Sequence, residues 1–183
     1  MHNGAITLTP LYETPLPASA WVEKDVALTM RDGTHIAVDV YHSQRAGAFP
    51  TLYAVSPYRK DLTYLPPNGV CRFRECGDIG WWLSQGYAFV HADVRGSGHS
   101  PEGQWQLHGQ PEQLDLYDTI EWIAAQAWSN GKVGMTGESY YGALQWFAAQ
   151  QQPPHLAAIA PYDAFCDRPI SAILTKRYDV PYN

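Results

Sequence analysis

The sequence predicts an α/β chain whose mostly parallel sheet is opened by an antiparallel hairpin and covered by helices on both faces. Three observations carry that expectation. Near the start, two runs with apolar residues on alternate positions flank an Asp-Gly turn, the pattern of a β-hairpin. From residue 49 onward, short continuous apolar runs alternate with helical patterns, as the strands and crossover helices of a parallel sheet do. Residues 132–147, KVGMTGESYYGALQWF, read as a short buried strand, a sharp glycine-flanked turn and then a helix. Right-handed crossovers set helices on both faces, and sites in such a sheet form beyond the carboxyl ends of its strands.

Taken in order, residues 1–20 carry Pro10, Pro15 and Pro17, a spacing that suits neither helix nor strand and predicts an extended arm. Over 22–30, Val22, Val26, Leu28 and Met30 fall mostly on alternate positions. Arg31-Asp32-Gly33-Thr34 turns the chain, and HIAVDVYHS then sets Ile36, Val38 and Val40 on one face. The run at 49–58, FPTLYAVSPY, is more continuously apolar, as a strand covered on both faces should be. The connection over 59–77, with Pro66-Pro67-Asn68-Gly69 in its middle, has the length of a functional loop. DIGWWLSQ at 78–85 suits a short helix with an aspartate cap, ended by Gly86, and YAFVH at 87–91 is the next buried strand.

The glycine-rich loop from Asp93 to Ser100, DVRGSGHS, lacks the spacing of a phosphate cradle; a structural turn held by Asp93 and Arg95 is a plainer account than a nucleotide site. A helix predicted over 111–128 places Leu114, Tyr117, Ile120, Ala124 and Ala127 on one face, starts with Pro111 and Glu112, and ends at Ser129-Asn130-Gly131. Asp115, Asp118 and Glu121 share its other face; with no histidine at that spacing they read as a solvated surface rather than a metal site. After the turn at Ser139, Tyr140, Ala143, Leu144 and Phe147 mark the buried stripe of the next helix. Pro153-Pro154 stops it, and LAAIAP at 156–161 reads as one more buried strand.

A chain of 183 residues with 45% hydrophobic content can bury one substantial core. Its formal charge of −6, with no basic block, argues against nucleic acid or an anionic membrane as a partner. No stretch approaches about 18 consecutive apolar residues, and MHNGAITLTP has neither a basic start nor a long apolar run. Cys71, Cys76 and Cys166 cannot all pair internally and lack a fourth zinc ligand, which fits ordinary thiols in a reducing compartment. The expectation is a cytoplasmic protein that needs no metal or organic cofactor.

Ser139 is the candidate for chemistry. A serine on such a turn has its hydroxyl pushed out at the C-terminal edge of the sheet, where the next helix adds positive partial charge. The generic hydrolase elbow has glycine two residues either side of the serine. Gly137 fits and Tyr141 does not; Gly142 lies one place later, giving G-x-S-Y-x-G. Alone, this pattern serves a purely structural strand-to-helix turn as well as a nucleophile. Tyr58 and the His91-Asp93 turn lie just past strand ends on the same edge, and Tyr58 alone reads more simply as an aromatic capping a strand.

Several pieces together resemble the X-prolyl dipeptidyl-peptidase and cocaine-esterase group of α/β-hydrolases: MRDGTHIAVDVY, SPYRKD, GYAFVHADVRGSGHSPEG, DLYDTIEWIAAQAWSNGKVG and GESYYG, in the family's order from about Trp21 to Arg168. The resemblance implies that Ser139 is the acyl-accepting nucleophile. It also implies that the Tyr58 hydroxyl and the Tyr140 backbone N–H form the oxyanion hole, acting on an ester, amide or peptide substrate of small-molecule size. Such donors are physically required, since a tetrahedral oxyanion without one of them forms roughly a hundred to a thousand times more slowly, and a phenol with pKa near 10 stays a donor at neutral pH.

One departure matters. Family members run on for several hundred residues, with the triad acid and then the base on loops after later strands, and this sequence ends at Asn183. The resemblance therefore divides the chain into the arm at 1–20, a partial α/β-hydrolase core at 21–162 and the start of a helical cap at 163–183. It leaves the last sheet strands and most of the cap outside, with the strand at 156–161 as an exposed edge that invites aggregation or pairing with another chain. Within the chain, His91 with Asp93 is the best-placed internal base, although the order is wrong and a strand-end histidine is more simply packed.

Overall fold

The computed structural model describes residues 14–61 and 75–164. Most of the expected arm, the middle of the 59–77 connection, Cys71, Cys166 and nearly all of the expected cap segment lie outside the described residues. Six strands form one sheet: β1 (Ala20–Thr29), β2 (His35–Ser43), β3 (Phe49–Ser56), β4 (Ala88–Asp93), β5 (Ser129–Glu138) and β6 (Leu156–Tyr162). Three helices accompany them, α1 (Ile79–Ser84), α2 (Gln110–Ala124) and α3 (Tyr140–Gln151). The strand order is β1-β2-β4-β3-β5-β6. The first two pairings are antiparallel and the rest parallel, so the hairpin opens a mostly parallel sheet as expected.

Side-chain alternation sorts the sheet into two cores. Val38, Val40, Tyr53, Val55, Val90 and Ala92 face α2 and α3, where Leu116, Ile120, Ile123 and Leu144 meet them. The intervening Tyr41, Ala54 and Phe89 face Ile79 and Leu83 of α1. Period-two strands buried on both sides thus place helices on both faces. Asp78 caps α1 by accepting from the Trp81 amide at 3.0 Å, and its second oxygen takes the Thr14 amide and hydroxyl at 2.9 and 2.7 Å, tying the start of the described chain across the helix. Among the described residues no helix is long and apolar enough to cross a membrane.

Two elements differ from the sequence expectation. The helix over 111–128 ends at Ala124, and Ser129-Asn130-Gly131 opens β5 instead of closing the helix. Of the expected stripe Ile120 is buried and Ala124 packs against the core, but Leu114 and Tyr117 are half-buried and Ala127 is exposed; the buried face is Leu116, Ile120 and Ile123 together with Glu112, Asp115 and Thr119. The reason is electrostatic. Asp115, expected on a solvated surface, is only 5% exposed because the Arg95 guanidinium grips it with two hydrogen bonds of 2.7 and 2.5 Å. Asp118 and Glu121 stay nearer the surface, paired with Arg31 and His155. The second is β6, which reads as a buried strand by composition alone but lies at the sheet edge of the described residues with Ala157, Ala158, Ala160 and Tyr162 exposed, the exposed edge that the family resemblance implied.

Candidate active site

β5 ends at Glu138 and α3 begins at Tyr140, so the whole change of direction falls on Ser139. That residue adopts φ 58°, ψ −117°, a conformation that an L-residue with a β-carbon rarely sustains, and its side chain is exposed. Hydrogen bonds over-determine the strain. The Ser139 amide donates to the Tyr162 carbonyl of β6 at 3.3 Å, the Glu138 amide to the Glu75 carbonyl at 2.8 Å, and the Ser139 carbonyl accepts from the Ala143 amide at 2.9 Å.

The two glycines make the approach of strand and helix possible. A β-carbon on Gly137, which sits at φ 143°, would overlap Tyr141 Cβ and lie 3.1 Å from its Cγ. One on Gly142 would lie 2.5 Å from Ala164 Cβ and 3.0 Å from the Gly137 carbonyl oxygen. The second glycine is therefore placed by the helix packing back on its own strand, and G-x-S-Y-x-G meets the same steric need as the shorter motif. At the mouth of the turn the amides of the first residues of α3 point outward without intrahelical acceptors and carry the positive end of the helix dipole.

Tyr58 stands two residues past the end of β3, 45% exposed, with its ring edge-on to Tyr140 at 5.9 Å and to Tyr141 at 6.2 Å. The structure thus brings Tyr58, Ser139 and Tyr140 to one sheet edge. His91 it does not bring to Ser139. That imidazole is 1% exposed beneath the elbow, with Nε2 2.9 Å from the Tyr141 hydroxyl, whose ionisation burial suppresses. The two oxygens of Asp93 accept the amides of Lys60 at 2.7 Å and His99 at 2.8 Å, closing the glycine-rich loop against the end of β3. Burial raises the Asp93 carboxyl above its ordinary value despite those bonds. Arg95 completes the turn through Asp115 and, at 2.7 Å, Asp32.

Two polar groups around the site were not singled out by sequence. Lys60 of SPYRKD is 3% exposed and bridges Asp39, at 2.8 Å, to Asp25. Burial alone would raise the Asp39 carboxyl, yet Lys24 and Lys60 hold it below the ordinary range. Glu112 is 2% exposed and accepts the Tyr140 hydroxyl at 2.7 Å. Neither had a local signal, because the partners lie far away in sequence. Among the described residues no three histidine, cysteine or carboxylate side chains converge as a metal site.

Residues 32–173 match the family described as X-Pro dipeptidyl-peptidase (S15 family). The chain belongs to this family. Among curated relatives, cocaine esterase of Rhodococcus sp. (strain MB1 Bresler) is 38% identical over 146 residues, covering 80% of this chain and 24% of the relative. A putative Xaa-Pro dipeptidyl-peptidase of Rhodopirellula baltica is 34% identical over 95 residues, 44% of this chain and 15% of the relative. A crystal structure of a CocE/NonD family hydrolase from Staphylococcus aureus superposes with TM-score 0.70 at 33% identity, covering 79% of this chain and 27% of that one. The sheet is thus the first part of an α/β-hydrolase, and the S15 chain spans at most about a quarter of the length of these curated relatives.

Proposed function

We propose that this S15 chain carries the nucleophile of a serine hydrolase that cleaves esters or amides through an acyl-enzyme. The observation that carries the reading is Ser139, an exposed serine held at positive φ between β5 and α3, beside glycines at which a β-carbon would crowd the packing of strand and helix. Maintained strain of this kind is a feature of functional turns. Ser139 Oγ attacks the acyl carbonyl carbon and passes its proton to a base; the carbonyl oxygen becomes an oxyanion that the Tyr140 N–H and the Tyr58 hydroxyl receive; the alcohol or amine leaves, and water releases the acid in a second pass. Esters and Xaa-Pro peptides are the substrates that the names of the relatives suggest. The base and acid come from polypeptide other than the described residues, because His91 and Asp93 are engaged elsewhere. The three cysteines support a cytoplasmic location.

A second reading has its own support: the chain is a folding half that becomes active only with a complementing segment. The bond from His91 to Tyr141 and the uncovered edge at β6 favour it. A fluorophosphonate probe separates the two. Labelling of the folded chain at Ser139, lost in Ser139→Ala, supports a working site; folded protein that takes no label sinks it in favour of the complementing half.

A further inference from the structure

Tyr140 does two things at once. Its backbone follows Ser139 directly, while its side chain, 8% exposed, runs inward between α2, α3 and the loop before α2. There its hydroxyl donates to Glu112 Oε1 at 2.7 Å and accepts the Trp105 indole N–H at 3.0 Å. The same ring touches Tyr58 edge-on at 5.9 Å. Any movement of the Tyr140 side chain is therefore felt by the amide beside Ser139 and by the Tyr58 ring together.

Glu112 is an unusual anchor for such a ring. Its other oxygen, Oε2, is buried with no hydrogen-bond donor among the described residues, whereas buried polar atoms are nearly always satisfied. No cation faces it. From the preceding loop come Trp105 and His108, whose ring lies 5.0 Å from Tyr140 and whose protonation burial disfavours. From its own helix comes Asp115, whose charge is matched by Arg95, and Arg95 is fully engaged by Asp115 and Asp32. From β3 comes Tyr53, fully buried, its ionisation suppressed by that burial; from α3 comes Tyr140 itself.

We propose that Glu112 is a positioning residue for the serine elbow, holding Tyr140 by its phenol and, through Tyr140, both the amide and the Tyr58 ring that flank Ser139. The carboxylate makes a charge-assisted bond to the phenol, and protonation leaves a neutral and weaker one. Burial without a countercharge raises the Glu112 carboxyl to about 7, so the change falls near neutral pH. Glu112 touches no reacting atom and acts only through Tyr140. The consequence for rate rests on Ser139 being the nucleophile; the mechanical link does not.

The test uses the whole chain with ¹⁵N-tyrosine, the Tyr140 amide being assigned by its loss in Tyr140→Phe. The wild-type Tyr140 amide shift should titrate with a midpoint near pH 7, and that titration should vanish in Glu112→Gln, which keeps a neutral acceptor of the same shape. In parallel, the rate of fluorophosphonate labelling at Ser139 should rise from pH 6 to pH 8 by about fivefold more in wild type than in Glu112→Gln or Tyr140→Phe, the difference between a charged and a neutral acceptor. A wild-type amide that does not titrate overturns the proposal even if the variant fails to fold. An amide titration that persists in Glu112→Gln overturns it too, as do identical labelling profiles where wild type and variant both take the label. An amide that titrates through Glu112 in a protein that takes no label upholds the brace and favours the reading of the chain as a folding half that lacks its base.

Discussion

Three glycines allow the strain at the elbow to be divided into its parts. Gly33, in the hairpin turn, has φ +85° and nothing within 4 Å of where a β-carbon would be, so Gly33→Ala tests the dihedral alone. Gly142 has ordinary helical φ but a β-carbon there would sit 2.5 Å from Ala164 Cβ and 3.0 Å from the Gly137 carbonyl oxygen, so Gly142→Ala tests the contact alone. Gly137 has φ +143° and an overlap with Tyr141, so Gly137→Ala tests both. An L-residue in the left-handed region costs about 1–2 kcal/mol, partly offset by the stiffer unfolded chain, which leaves roughly 1 kcal/mol for Gly33→Ala. Overpacking costs about 1–3 kcal/mol, less about 1 kcal/mol gained from alanine in a helix, so Gly142→Ala falls at roughly 0–2 kcal/mol. Gly137→Ala combines both penalties without a helix gain and reaches roughly 2–4 kcal/mol, a substantial part of the stability of a marginal domain. Urea unfolding midpoints with a shared slope measure all three. Labelling at Ser139 should fall in the two elbow variants and hold in Gly33→Ala. If Gly137→Ala costs no more than Gly33→Ala, strand and helix are not held apart by the missing β-carbon and the steric account of the motif is wrong.

Other consequences can be measured on the same material. Ser139→Gly removes the strained β-carbon as well as the nucleophile, so it should raise stability by about 1 kcal/mol while abolishing labelling; a loss of stability would mean that φ 58° is relaxed by its surroundings. Asp115→Ala leaves the buried Arg95 with Asp32 as its remaining carboxylate and should cost about 3 kcal/mol, whereas Arg95→Met with Asp115→Leu should recover most of it; equal losses in single and double variants would contradict a desolvated pair. The Glu112 carboxyl is raised in the fold from its ordinary 4.5 to about 7, so the folded state holds the proton more tightly than the unfolded one. Its contribution is complete below pH 4.5 and lost as pH rises through 7, worth about 3 kcal/mol at roughly 1.36 per pH unit. Glu112→Gln should therefore flatten the melting temperature between pH 5 and 8, and an unchanged profile would place the proton elsewhere. Finally, we propose that the exposed β6 edge mediates self-association; Ala158→Lys with Ala160→Lys should lower the sedimentation-average mass, and a monomeric wild type would remove the premise.

The sequence made legible what is local. Ile36, Val38 and Val40 alternate, the Asp-Gly turn is short, and Gly137 and Gly142 bracket a serine, so hairpin, alternating strands and elbow could be read before any coordinates. The buried face of α2 could not. Leu114, Leu116, Tyr117, Ile120, Trp122 and Ile123 surround that helix with apolar groups, and its orientation is settled by Arg95, twenty positions away, drawing Asp115 inward. Glu112 was visible only as a first-turn acid, because its partner Tyr140 is 28 positions on. The exposure of β6 is a property of the sheet order, which the apolar run does not record and only the family resemblance foretold.

The contacts that keep Ser139 strained all lie within the described chain: the Tyr162 and Glu75 carbonyls, the Gly137–Tyr141 approach and the Gly142 packing. Presentation of the proposed nucleophile thus draws on β5, α3, β6 and the segment at Glu75, and these contacts involve no base. Proton transfer does need one, and His91 is already bound to Tyr141. The two requirements of the proposed chemistry are therefore physically separable in this chain. A folded protein that keeps the elbow strain, seen as stabilisation by Ser139→Gly, yet reacts with no probe would locate its deficit in the proton acceptor alone. Adding a segment that carries a histidine should then restore labelling without changing the stability difference between Ser139 and its glycine variant, and a change in that difference would show that presentation and proton transfer are coupled after all.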